Sequence, residues 1–397
     1  MNNMSTIVND RSLSGNDISV YLSPQTTKGV INATPAFDQF RRTEGKPKKE
    51  ITYVQSGEVK TNRQGRIQVQ DASTFTGEPA FELNQSTALY FDAMLHGNAT
   101  DNTVTSVVTI GSDAAGFVSS NADFAGYAVG DWFMASGFTD PLLNILYKIS
   151  VFTDSNNIET VNAPASVEAE GASVTIESIK TSSGSAQTYF TTQTRTVDKS
   201  AAGDIDYRTF YDAIINTGSM KIGETGIVTG SFSLAIEQLL AGAALISGQT
   251  DNTADTSDPV SAIDNISRIY VNGVDSNCGV KSMGLEFNNN YQGDRSAACE
   301  GERHAYGDID VTGALVTRAV ISDTFDWRNK FENSTAFALA PAFTWSDGRW
   351  MVVEIMRAKL TEHTMPDGSN VVSSNEMAYS AEEDPITSTT VQIFRNF

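Results

Sequence analysis

The side chains able to do acid–base, nucleophilic or metal chemistry are few and scattered. The chain holds three histidines, His96, His304 and His363, and none stands in an H-E-x-x-H or other metal-ligand spacing. His96 closes a candidate helix, where a cation is favourable against the helix dipole. Cys299 and His304 lie close in sequence, but no third group is identifiable that would orient them as a nucleophile and its base. Cys278 and Cys299 are the only cysteines and show no C-x-x-C spacing; they could face each other, and they read first as reduced thiols. The segment DSNNIE (154–159) resembles a calcium loop only faintly and reads as a plain turn. Glu382 and Glu383 read as solvated charges. No G-x-S-x-G, P-loop or G-x-G-x-x-G is present. The expectation is a non-enzyme with no catalytic, cofactor-binding or metal-binding residue.

The elements that would position any site are strands. Glycine is abundant, proline is sparse (30 and 10 residues), and long helical patterns are few, so the chain reads as many short strands joined by turns. Residues 1 to about 50 read as a polar arm ending in the basic cluster RRTEGKPKK (41–49). From Glu50 the strand signals begin, with Ile67 and Val69 alternating in RIQVQ. The polar stretch KTNRQGR between the first strands carries Lys60, Arg63 and Arg66. A short helix is expected from Ser86 as cap, with Leu89, Ala93 and Met94 as its apolar stripe and Gly97 at its end. In GSFSLAIEQL, Phe232, Leu234 and Ile236 recur at period two. Residues 241 to about 262, which include SGQTDNTADTSDP (247–259), read as an exposed or mobile polar loop. FTWSDGRWMVVEIMRAKL reads as a hairpin about Asp347-Gly348, and the unbroken Met351, Val352 and Val353 imply a strand covered on both faces.

Charge divides the chain. Lys plus Arg total 27 against 48 Asp plus Glu, a formal net charge of −21, so a surface that grips phosphate backbones is disfavoured. Residues 101–181 hold ten acidic residues against Lys148 and Lys180 alone, and read as a small inserted β module. The organisation expected is residues 1–100 as an arm and the first half of a β domain, 101–181 as the insert, and 182–397 as the second half and C-terminal segment. The opening MNNMSTIVNDRSLSGND lacks the basic start and apolar run of a secretory signal. No run approaches the ~20 apolar residues of a membrane helix, so a soluble protein that stays in the compartment where it is made is expected.

One pattern recurs. Thr76-Gly77, Thr229-Gly230 and Thr312-Gly313 each lead into an alternating strand. In two copies a helix signal follows, at Ser86 and at Asp323 in DTFDWRNKFEN, where Phe325, Arg328 and Phe331 have helical spacing. The order of strand, polar turn, strand with glycine, then helix suggests a duplicated plan. Glycines at 77, 230 and 313 would allow a strand kink or bulge. Long hairpins also leave edges that something must cover.

In this order the residues resemble the tail tube (major tail) proteins of long-tailed bacteriophages. The resemblance is carried by ITYVQSGEVKTNRQGRIQVQDASTFTGEPAFELNQSTALYFDAMLHG, FAGYAVGDWFMASGFTDPLLNILYKI, TYFTTQTRTVDKSAAGDIDYRTFYDAIINTGSMKIGETGIVTGSFSLAI and VKSMGLEFNNNYQGDRSAACEGERHAYGDIDVTGALVTRAVISDTFDWRNKF. Together these span roughly residues 50–360. It implies a mainly β fold, a tail-tube-like sandwich or barrel with two long hairpins (about Glu50–Leu83 and Val280–Ala319), short flanking helices and the inserted module. It implies rings of six stacked into a tube, an acidic lumen through which DNA passes unbound, and a ring-stacking loop at Lys60, Arg63 and Arg66. Tail terminator, tail tip or baseplate and tape-measure proteins would be partners, with no membrane and no cofactor. The location implied is the virion tail, after synthesis in the host cytoplasm. Two other readings compete: another virion part (capsid decoration protein or tail terminator), and a carbohydrate-binding, adhesin-like β-protein using Trp132, Phe133 and Phe138.

Overall fold

A computed structural model describes residues 17–57, 67–197, 205–242, 245–276, 279–295, 301–319, 325–365 and 373–397. The chain is mainly β, with two short α-helices among the described residues. Its spine is an antiparallel pair, Ile205–Ile222 and Thr229–Leu239. Along Thr229–Leu239 the apolar residues recur at every second position, and Phe232, Leu234 and Ile236 are buried, as a strand with one covered face requires.

From the spine the sheet runs in both directions. On one side the first half of Ile205–Ile222 pairs with Phe190–Val197, which pairs with Ile18–Pro24 and then Ala36–Phe40. The second half pairs with Val280–Asn288, then Asp310–Arg318, Ser374–Ala381 and Trp350–Thr364. On the other side Thr229–Leu239 pairs with Ala80–Glu82 and Gln68–Gly77. The sheet curls around one core to which all these strands contribute, but among the described residues it does not close into a barrel.

The N-terminal residues are not an arm from residue 17 onward. Val20, Leu22 and Phe40 join the core, Phe37 is buried as well, and Arg41 and Arg42 donate to the carbonyls of Ser257 and Ile18. The first helix is Gln85–Met94. Its cap is Asn84 rather than Ser86, because the Asn84 side chain accepts from Thr87 N–H while the Thr87 hydroxyl accepts from Asn84 N–H. Leu89 points outward and Phe91 takes the core position. The helix ends at Leu95, before Gly97. The second helix is Trp327–Glu332, capped by Asp326, with Trp327 rather than Phe331 buried; Asp323 lies outside the described residues.

The polar 247–259 stretch is exposed over most of its length, as expected, but it is tied to the body at several points. Asp251 pairs with Arg195 at 2.6 and 2.7 Å, Asp255 accepts from Ser86 N–H at the helix start, and Val260 is fully buried between backbone bonds to Leu83 and Val228.

Residues 104–177 build a separate seven-stranded sheet with its own core, which includes Phe117, Phe133, Tyr147 and Ile176. This module covers the outer face of Trp350–Thr364. Met351, Val353 and Ile355 therefore face the main core, while Trp350 and Val352 pack beneath Trp132 of the module.

Candidate assembly surface

Among the described residues, two features of the main sheet are left uncovered: one polar face and one projecting hairpin. The register places the polar face row by row. Ala80, Ser231, Ser219, Glu286, Thr312 and Ser380 lie side by side across six strands. A parallel row holds Glu82, Thr229, Lys221, Gly284, Ala314 and Ala378. A third holds Ser233, Thr217, Asn288 and Asp310. None of these residues is buried. Side chains are short, aromatic rings are absent from the three rows, and Glu82, Glu286 and Asp310 outnumber Lys221. Such a face offers little that grips phosphates and nothing on which bases stack.

The row between the first two points inward: Phe81, Gly230, Met220, Leu285, Gly313 and Tyr379. Here lies the reason for two of the repeated glycines. A Cβ at Gly230 would sit 2.2 Å from the Ser219 carbonyl oxygen and 2.6 Å from Phe81 Cζ. One at Gly313 would sit 2.2 Å from the Gly284 carbonyl oxygen and 2.4 Å from the Tyr379 hydroxyl. The strand register is unbroken at both, so these glycines admit a neighbouring ring rather than bend the strand. Gly77 ends its strand with Pro47 close by, at 3.2 Å from a built Cβ.

The projecting element is the hairpin of Lys48–Gln55 with Gln68–Gly77. Its root is anchored: Phe75 and Ser73 are buried, and Phe75, Thr76 and Gly77 pair with Ile236, Ala235 and Leu234 of the spine. Beyond the root both faces lie open. Tyr53 and Val54 are successive and so point to opposite faces, yet they are 60% and 55% exposed; Ile67 and Val69 are 64% and 56% exposed. Among the described residues no strand pairs with the outer edge of Lys48–Gln55. The connector of the second hairpin, Val280–Asn288 with Asp310–Arg318, returns to this root. Arg295 donates to the Ser73 carbonyl at 3.3 Å, and Glu237 accepts from His304 N–H and from Lys28.

Lys60, Arg63 and Arg66 fall between the hairpin arms in sequence and lie outside the described residues, as do Cys278 and Cys299. His96 is buried and shares a 2.9 Å hydrogen bond with the Tyr291 hydroxyl. Burial pushes its pKa below the ordinary imidazole value, so it serves as a neutral partner and not as a helix-end cation. His363 bonds Asn375. Asp154 accepts from Asn156 N–H in a local turn. Trp132, Phe133 and Phe138 are 5% exposed or less, which removes the aromatic face that the carbohydrate-binding reading needed. The polar rows were missed in the sequence because serine and threonine mark strands and loops alike; only the Phe-Ser-Leu-Ala-Ile alternation after Gly230 signalled one of them.

A family model described as phage tail tube protein matches residues 15–381 of the chain. The chain belongs to the phage tail tube protein family. No curated protein matches it significantly. As a tail tube family member it is a structural component of the virion tail, in a family that builds a tube from copies of itself and is not catalytic.

Proposed function

We propose that this tail tube subunit closes into rings of six, that the rings stack, and that the face bearing Ser219, Ser231, Glu286 and Thr312 lines the bore. The observation that carries the reading is the hairpin Lys48–Gln55/Gln68–Gly77, which continues the same sheet past the body with both faces and one edge uncovered among the described residues. A neighbouring copy laid against it would bury Ile51, Tyr53, Val54, Ile67 and Val69, at roughly 1 kcal/mol each for the half now exposed. It would also pair the open edge. The number six comes from the resemblance to tail tube proteins.

The bore-lining role is supported by the short, uncharged majority of the three rows. Their acidic excess repels phosphate, so DNA slides without being held. Lys60, Arg63 and Arg66 are the proposed ring-stacking loop, basic residues meeting an acidic neighbour. Tail terminator, tail tip or baseplate and tape-measure proteins are the proposed tail partners, joined after synthesis in the host cytoplasm.

The test is negative-stain microscopy of concentrated wild-type protein beside the Tyr53→Glu/Val54→Glu/Val69→Glu variant. Wild-type tubes are expected, with the variant folded by circular dichroism but unassembled. Normal tubes from the variant would remove the hairpin from the assembly interface.

A further inference from the structure

The module is joined to the body by two chain crossings that lie side by side: Asn102 N–H donates to the Ser178 carbonyl at 2.8 Å, and Asp101 pairs with Ile179. A stalk of two neighbouring strands fixes where the module begins but leaves its tilt free. The contact that covers the body is largely apolar, led by Trp132 against Tyr270 (ring centroids 4.7 Å apart) and Trp350. Apolar contact is non-directional, so it does not select one tilt from several of similar buried area.

At the centre of this contact sits a carboxylate. Glu354, on the body strand, is completely buried. It accepts from Trp132 Nε1 at 2.7 Å and from Lys148 Nζ, both carried by the module. Asp131 and Lys180 pair next to it at 2.6 Å, with Asp131 also buried. The bonds on Glu354 are met together only when the strand Trp132–Ser136 and the strand Leu146–Asp154 lie in the observed relation to the body. Any other tilt leaves the carboxylate dry and without its counter-charge, which is strongly unfavourable.

We propose that Glu354 selects the pose in which the module docks on the tube domain, acting through Lys148 and Trp132, and that it contributes choice of orientation rather than strength of attachment. The module is then a rigid part of each subunit with a single orientation, and not a loosely tethered appendage.

The test measures pose directly. Spin labels at Val167 of the module and Ile386 of the body, both strongly exposed, are introduced as cysteines with Cys278 and Cys299 replaced by Ser. The labelled protein is diluted into unlabelled protein, and distances are read by pulsed dipolar spectroscopy. Wild type is expected to give one narrow distribution. The Lys148→Met/Glu354→Met variant is expected to melt no lower and to give a distribution at least twice as broad, or a second peak. An unchanged narrow peak would overturn the proposal. So would failure of the double variant to fold, since the pair would then supply stability instead of choice. Glu354→Gln, which keeps an acceptor for the indole, is the milder second variant: measurable broadening is expected, and a peak identical to wild type would likewise count against the proposal.

Discussion

Ser219 and Ser231 face each other across the two spine strands with their hydroxyl oxygens 3.0 Å apart. One residue further along each strand, Met220 and Gly230 are paired on the opposite face, beneath the Phe81 ring. The same two strands thus present a hydroxyl surface outward and an aromatic core inward, and the consequences can be tested separately.

The outward surface is expected to be indifferent to DNA because its carboxylates outnumber its one cation, Lys221, in the three rows. Replacing Ser219, Ser231 and Ser233 together by Lys adds three phosphate partners per subunit. Assembled wild-type tubes are expected to retain no short duplex DNA, and tubes of the variant to retain it at low salt. Release should steepen with salt by roughly 0.9 in log–log slope per phosphate engaged. Filter binding across a salt series checks this.

The inward surface is expected to reject any side chain at Gly230 or Gly313. The built Cβ atoms meet backbone carbonyl oxygens at 2.2 Å, and these cannot swing aside. Gly230→Ala and Gly313→Ala should each cost about 1–3 kcal/mol as overpacking. Gly77→Ala, with its nearest neighbour at 3.2 Å, should cost less. Urea unfolding of the three variants gives the ranking.

The capping assignment separates two adjacent residues. Asn84→Ala removes the acceptor of Thr87 N–H and should cost about 1 kcal/mol. The Ser86 hydroxyl donates to the Asn84 side chain rather than capping the helix, so Ser86→Ala should stay within about 0.5 kcal/mol. Equal losses in thermal melts would contradict the cap at Asn84.

Acid should act on Glu354 in a definite direction. Burial raises its pKa more than Lys148 lowers it, so the folded protein holds this proton more tightly than the unfolded chain. The resulting stability is present in acid and is lost as pH rises through the folded pKa. The melting temperature of Glu354→Gln minus that of wild type should therefore be larger at pH 7.5 than at pH 5. A difference that shrinks with rising pH would contradict the buried carboxylate.

Much of this architecture was legible in the chain. The Phe232, Leu234 and Ile236 alternation marks the spine. Asp347-Gly348 marks the hairpin between Phe337–Thr344 and Trp350–Thr364, with Gly348 at φ +86. The unbroken run from Met351 to Val353 marks a strand covered on both faces, which the module supplies on one side and the main core on the other. Long-range partners were not legible. Asp251 and Asp255 look like loop residues until Arg195 and the start of the first helix come to meet them. Glu354 looks like a surface charge in a strand until Trp132 and Lys148, more than 200 positions away, close over it. The glycine repeat was visible, but its cause was not: bends and ring clearance leave the same letter in the sequence, and only cross-strand register distinguishes them.

A cryo-electron reconstruction of assembled wild-type protein tests most directly whether the uncovered hairpin is made for other copies of the chain and whether the hydroxyl face lines the bore. The expected map shows Tyr53 and Val54 buried on an adjacent subunit and the Ser219–Ser231 pair facing the central channel. A map with that hairpin solvent-exposed, or with the serine pair on the outside of the tube, would contradict it.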